Sequence, residues 1–308
     1  MSRRSATAFA PASVGNAAVG FDILGHSVDG PGDRATVELT QSGTVRIRRI
    51  YGVIENLPLE AHLNTAGRAL LGVVAKRPGV GFEVDIHKGI ALGSGMGGSA
   101  ASAVAALMAA NSLLEVPLTM PELYELAIEG ESVASGSKHG DNVAPMLLGG
   151  LVIAPAEGLP VKVPVPAELY CALVHPHFVL ETKVARAALK GPYELHDFVV
   201  QSEGLALVLA GCFSGSIDTI RRGFRDVLVE PRRASLIPGF ALVKRAALSA
   251  GALGASISGG GPSVFAWCEG REAAVRAGAA MRGAFQREGK LEADLLISRV
   301  DGPAARVE

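Results

Sequence analysis

Apolar residues recur along the chain with two periods, and the changes from one to the other mark out its elements. Alternation over residues 5–12, 34–40, 44–50 and 82–87 predicts strands, and Ser42-Gly43 between the second and third predicts a hairpin turn. Residues 63–76 are spaced as an amphipathic helix, with Asn64 at the N-cap position. An alanine-rich run over 103–114 predicts a buried helix, and Leu123, Leu126 and Ala127 give helical spacing to 121–132. A strand over 149–154 follows, after which Pro155, Pro160, Pro164 and Pro166 break the pattern. That break sets the expected domains, 1–157 and 165–308. The second half is expected to hold a strand at 169–174, a helix with an apolar stripe at 196–210, and a strand, glycine turn and strand over 255–265. A helix at 271–287 and a strand at 295–300 complete it, so the chain falls in the α+β class.

Composition narrows the function classes. With 308 residues the chain can form two domains with a substantial core. Its 29 basic and 30 acidic side chains give a net charge of −1, without long runs of one sign, so a nucleic-acid surface is not indicated. Cys171, Cys212 and Cys268 are odd in number and far apart, which suits neither a disulfide framework nor a zinc site, and a reducing cytoplasm is the simplest setting. Residues 99–118 are apolar but interrupted by Asn111, Ser112, Glu115 and Pro117, so a buried helix is expected there and no membrane span. The start, Met1-Ser2-Arg3-Arg4, is basic, yet the apolar stretch after it soon reaches Asn16 and Asp22, and no signal peptide is expected.

The chemistry concentrates at residues 89–102. Gly93, Gly95, Gly97 and Gly98 leave almost no side chain between backbone and ligand, and the alanine-rich helix begins directly after them. Unpaired N–H groups and the helix dipole make such a junction an anion site, although a flexible turn before a core helix would look the same. Gly93, Gly95 and Gly98 satisfy the dinucleotide pattern G-x-G-x-x-G, but five residues separate the strand at 82–87 from Gly93, and Glu115-Val116-Pro117 after the helix is no strand. The ATPase P-loop needs Lys and Ser or Thr after its last glycine, where this chain has Ser99-Ala100.

Gly89-Ile90-Ala91-Leu92-Gly93-Ser94-Gly95-Met96-Gly97-Gly98-Ser99 resembles the phosphate loop of the GHMP small-molecule kinases, P-x-G-S-G-L-G-S-S-A, with Ala91 for Pro, Met96 for Leu and Gly98 for the first paired Ser. Four further stretches resemble the homoserine kinase branch. Pro11, Ala12, Asn16, Gly20, Phe21, Asp22, Leu24 and Gly25 match P-A-T-S-A-N-L-G-P-G-F-D-x-L-G, where short polar residues could also serve plain turn chemistry. Residues 130–145 match G-E-x-x-x-S-G-x-x-H-x-D-N-V-A-P throughout. Glu181 to Arg186 resembles S-T-K-x-A-R, and 230–238 follows E-P-x-R-x-x-L-I-P, selecting Arg233 over Arg232. Residues 258–264 resemble the third superfamily motif, S-G-A-G-P-T-V, a turn that would back the active site.

The resemblance implies a ribosomal-protein S5-like N-terminal domain, a ferredoxin-like C-terminal domain, and phosphorylation of L-homoserine by ATP with Mg²⁺ in threonine biosynthesis. It places ATP on residues 89–99 with Asn64 and Lys88, and Mg²⁺ on Ser99 and Glu131. It assigns Asn16, Asp22, His139, Asn142, Thr182, Arg186 and Arg233 to the substrate, with Asn142 beside the reacting hydroxyl. Homodimers are common in the resembled family. A mevalonate-type alcohol kinase is the alternative, but it would have no use for an Asp directed at an ammonium group. Such kinases carry an Asp base where this chain has Lys138, and Asp141 comes three residues later. Asp141 is therefore expected to hold the loop and orient Asn142.

Overall fold

The structure is a computed structural model that describes residues 4–136 and 138–308, so most of the basic start considered above lies outside the described residues. The first sheet takes β1 (Ser5–Val14), β2 (Leu24–Thr40), β3 (Val45–Gly52), β4 (Gly81–Lys88), β5 (Leu151–Ile153) and β6 (Val161–Val163), and it is completed by β11 (Arg306–Val307). Its helices are α1 (Thr65–Lys76), α2 (Gly98–Asn111), α3 (Met120–Ser135) and α4 (Val143–Leu148). α2 has the sheet on one side and α1 and α3 on the other, which is why it is apolar all round and buried from Ala100 to Leu107. α3 starts with a capping box in which Thr119 and Glu122 satisfy each other's backbone groups.

The expected hairpin at Ser42-Gly43 does not form. β4 inserts between its two strands, antiparallel to β2 and parallel to β3. Phe82, Val84 and Ile86 of β4 are buried and belong at the centre of the sheet, whereas β3 carries Arg46, Arg48 and Arg49, which suit an edge. Arg48 reaches over β4 to Asp85 at 3.0 Å and to Glu38 of β2 at 2.9 Å. The crossing is possible because residue 81 is glycine: a Cβ there would lie 2.3 Å from Ser42 Oγ and 2.9 Å from Thr44 O.

The second half comprises β7 (Leu169–Pro176), α5 (Thr182–Ala187), α6 (Leu195–Ser214), α7 (Ile217–Gly223), α8 (Glu230–Arg233), α9 (Phe240–Ser249), β8 (Gly254–Ile257), β9 (Val264–Glu269), α10 (Arg271–Ala284) and β10 (Ala293–Arg299). The sheet order β10-β7-β9-β8, antiparallel throughout, is the ferredoxin-like one. Ala172, Val174, Val264 and Ala266 join the core under α9 and α10. The alternate residues Cys171, Leu173, Phe265 and Trp267 join the core of the first domain instead. His26 of β2 seals this joint, accepting from Trp267 Nε1 at 3.2 Å, and burial pushes its pKa down to about 4, so it is neutral. α6 is long and apolar enough to cross a bilayer by length and composition, but it lies along α7, with Gln201, Gly204, Val208 and Gly211 buried.

Two strand pairings bear on how the halves connect. β6 lies within the proline-rich connection yet pairs with β5, and β11 returns from the end of the chain to pair with β1. Arg34 of β2 fastens that return with bonds of 2.9 and 3.2 Å to Glu308. All three cysteines are buried and unpaired.

Candidate active site

A cavity of about 700 Å³ opens between the two sheets, floored by the glycine loop. Gly93, Gly95 and Gly97 have φ of 59°, 76° and 73°, left-handed values that only glycine adopts without strain. A Cβ at Gly97 would also lie 2.5 Å from Ser13 Oγ and 3.0 Å from Asn142 Oδ1. The loop carbonyls turn into the protein: Gly93 O accepts from Leu180 N, Ser94 O from Ser263 N, Gly95 O from Ser258 Oγ, and Met96 O from Ser13 N. α2 starts here with no side-chain cap among the described residues, and Gly98 and Ser99 line the cavity, so the first amides of the helix suit a phosphate. Two members of the expected ATP segment stand off the cavity. Met96 is turned into the first core, and Gly89 packs on Gly32 O with its amide on Asp33.

Lys88 lies under the loop. Its ammonium donates to Asp33, to Gly98 O at 2.7 Å and to Ser102 Oγ at 2.8 Å, so all three protons are engaged within the protein. Asp33 also accepts from Gly89 N and Ile90 N, and the pair therefore holds the start and end of the loop from beneath. Asn64 caps α1 by accepting from Ala66 N and Gly67 N, and it lines the cavity.

Close packing of α1, α2 and α3 brings Ser99 and Glu131 together. A Cβ at Gly130 would meet Thr65 O at 2.6 Å and the Ala103 methyl at 3.1 Å, so glycine lets the three helices converge. Ser99 Oγ donates to Glu131 Oε1 at 3.4 Å. Past α3, Gly136 turns the chain in a left-handed cap, and His139, Asp141 and Asn142 return to the cavity wall.

Charges of both signs meet at the other end. Arg186 donates to both oxygens of Asp22 at 3.1 Å and to His139 Nε2 at 2.6 Å. An arginine cannot accept, so the His139 proton sits on Nδ1, toward Glu131 Oε2 at 3.9 Å. Burial, with Arg186 and Arg233 nearby, lowers the His139 pKa against the opposing pull of Asp22. Ligand atoms of Asp22, His139 and Asp141 converge within 4.8 Å, and the Arg186 guanidinium already bonds two of them, Asp22 and His139. Arg233 is buried, bonded to Ala185 O at 3.0 Å and Gly259 O at 2.9 Å, while Phe21 lies beneath both guanidinium groups. Thr182 lines the same wall.

The loop that carries Asn16 and Asp22 is strained, with positive φ at Asn16, Ala17, Ala18 and Asp22. The Asn16 amide is engaged in holding it, donating to Gly259 O at 2.7 Å and accepting from Asp22 N at 3.0 Å. Asp141 accepts from Asn16 N at 3.0 Å. Burial and then the charge of Asp22 push the Asp141 pKa up to about 7, with Glu131 adding to the shift and the Asn16 amide opposing it. Asn142 Oδ1 accepts from Ser13 Oγ at 2.8 Å, which orients its amide.

Residues 64–150 match the family model for the GHMP kinases N terminal domain, and residues 208–287 that for GHMP kinases C terminal. The chain is 56% identical over 305 residues to the homoserine kinase of Xanthomonas campestris, an alignment covering 99% of this chain and 94% of that one. Against the homoserine kinase of Xylella fastidiosa the identity is 54%, with coverage of 98% and 94%. The crystal structure of homoserine kinase from Cytophaga hutchinsonii superposes with a TM-score of 0.94 at 41% identity, covering 100% of this chain and 98% of that one. The chain belongs to the homoserine kinases. It thus has the two-domain architecture of the GHMP kinases expected from the motifs. What the motifs of homoserine kinases did not disclose is the apolar end of the cavity, formed by Ile50, Ile54, Leu57, Pro58 and Leu63, and the carboxylate of Asp33 under the loop. Asp33 carried no distinct signal in the sequence, since Asp29 and Arg34 make it one of several charged residues in the same strand.

Proposed function

We propose that the chain transfers the γ-phosphoryl group of ATP to the side-chain hydroxyl of L-homoserine, giving O-phospho-L-homoserine and ADP. One juxtaposition carries this: the glycine loop and the Asp22, Arg186 and Arg233 cluster share a single cavity. A phosphate chain and a zwitterion of small size are the ligands those two ends suit. Arg186 Nε is buried without a partner among the described residues, a donor suited to a carboxylate oxygen.

In this assignment the adenine lies at the apolar end and the phosphates on residues 93–99. Asp22 takes the ammonium group, and Arg186 and Arg233 take the carboxylate. Asn142 bonds the hydroxyl, with Thr182 and His139 closing the wall. Ser99 and Glu131 are adjacent oxygen donors beside the loop, one of them anionic, which fits Mg²⁺ shared with phosphates. When bound, Mg²⁺ would supply charge neutralisation at the phosphates. The chain itself supplies position and fixed donors, and Asp141 holds the Asn16 turn. The phosphoryl oxygens accept the hydroxyl proton, as a loose transition state permits. A cytoplasmic setting fits the three unpaired cysteines.

A coupled assay of ADP release across small alcohols and amino acids tests the assignment, with L-homoserine expected as the preferred acceptor. Preference for mevalonate would establish the alternative. Light scattering tests a homodimer, which twice the mass of one chain supports and the mass of one chain overturns.

A further inference from the structure

Gln201 lies on α6, outside the cavity, yet it joins the two segments that deliver the substrate groups. Its side chain is buried, donating from Nε2 to Val19 O at 3.0 Å and accepting at Oε1 from Val227 N at 2.9 Å. Val19 belongs to the strained loop between Asn16 and Asp22. Val227 follows Asp226, whose carboxylate accepts from Leu228 N, Val229 N and Glu230 N at 2.9–3.0 Å and so starts α8, the helix that carries Arg233. One side-chain amide is therefore bonded to the segment bearing Asp22 and to the segment leading into Arg233.

We propose that Gln201 is a positioning residue for the amino-acid substrate, fixing the separation of Asp22 and Arg233 without touching the substrate itself. This rests on the assignment of those two groups to homoserine under Proposed function. Two features make the link consequential. The Asn16 loop is held in conformations that persist only where surrounding bonds impose them, and the Val19 carbonyl lies at its middle. One turn further along α6, a Cβ at Gly204 would lie 2.8 Å from Gly223 O, 3.2 Å from Val19 Cγ1 and 3.4 Å from Arg225 O, so the helix touches both segments there with no slack. The chemistry is specific to an amide. A carboxylate cannot donate to Val19 O, and an apolar chain of equal length satisfies neither backbone group.

Two variants test the proposal, with both KM values measured by varying each substrate. Gln201→Met keeps the volume and removes both bonds, whereas Gln201→Glu keeps the acceptor for Val227 N and sets an oxygen against Val19 O. Gln201→Glu is expected to raise KM for homoserine about tenfold, the change that follows from one buried backbone group left unpaired, and Gln201→Met, which leaves two, at least as much, each with KM for ATP within about twofold of wild type. Combining Gln201→Met with Asp22→Asn should raise KM for homoserine by less than the product of the single effects, because both changes act on one contact. A parallel rise in both KM values, a fully multiplicative double variant, or wild-type KM values in a folded single variant would overturn the positioning role. If Gln201→Met does not fold, Gln201→Glu decides by the same criteria. A wild-type enzyme that turns over homoserine while its variants keep normal KM values sinks this inference alone, and one with no turnover of homoserine sinks both.

Discussion

Arg232 and Arg233 are neighbours in sequence with opposite surroundings. Arg233 is buried at the cavity wall, while Arg232 lies over the Tyr193 ring at 4.0 Å and bonds Lys190 O and Pro192 O on the outside. Arg233→Ala is expected to weaken homoserine binding by about 2–5 kcal/mol, read as a rise in its KM far above that for ATP. Arg232→Ala should change either KM little, and the reverse ranking would misplace the clamp. Glu131→Gln removes an anionic oxygen beside Ser99, so turnover at millimolar Mg²⁺ should fall roughly a hundredfold or more while ATP titrations still show binding. Asp141 is a different case, since its carboxylate is engaged with the Asn16 amide. Asp141→Asn is expected to lower kcat by less than about tenfold, short of the ~10²–10⁴ that a positioned base contributes. Stability provides a second check. The pKa of Asp141 rises from 3.8 to about 7 on folding, so its contribution is fully present below pH 3.8 and is lost as pH rises through about 7. The melting temperature of Asp141→Asn relative to wild type, in EDTA without nucleotide, should therefore gain more at pH 8 than at pH 5. Glu131, His139, Asp141 and Asn142 were legible in the sequence because they form a dense polar block between apolar segments. Ile50, Ile54 and Leu57 were not, because apolar residues near a strand end look like any others until the chain folds a cavity over them.

Among the elements, α1, α3 and α6 were read closely, because the 3.6-residue period and the caps at Asn64 and Thr119 are local properties, whereas α4, α5, α7, α8 and α9 were not read. The hairpin failed for a non-local reason. Strand pairing depends on which neighbour best covers a face, and β4, which buries Phe82, Val84 and Ile86 and carries no arginine, displaces β3 with its three arginines from β2. The glycine loop shows how an element can be specified by conformation alone. Gly97→Ala places a side chain at φ 73° against Ser13 Oγ and Asn142 Oδ1. It should destabilise the fold by about 1–3 kcal/mol in urea titrations and raise KM for ATP together with it, whereas Gly136→Ala, with an open space around its Cβ, should spare KM for ATP.

At the scale of the whole molecule, the second sheet begins with β7, just after the proline-rich stretch. A linear reading cannot show that β11 returns to β1 or that Phe265 and Trp267 complete the core of the first domain. Those are facts of topology, carried by contacts far apart in sequence. The cavity between the halves has a consequence of its own. Its charges nearly balance, Lys88, Lys183, Arg186 and Arg233 against Asp22, Glu131, Glu181 and the Asp33 carboxylate beneath Lys88, with Asp141, pushed up to about 7, only partly ionised near neutrality. A balanced site projects little potential beyond its mouth, and homoserine as a zwitterion carries no net charge for a distant field to pull. Under the proposed assignment, capture is a short-range exchange in which Asp22 and Arg186, bonded to each other in the free protein, trade that pair for the two ends of the substrate. KM for homoserine should accordingly change by less than about twofold between ~10 and ~100 mM salt, while the screening length falls from ~30 to ~10 Å. A steep salt dependence would mean that the enzyme gathers its amino acid from a distance.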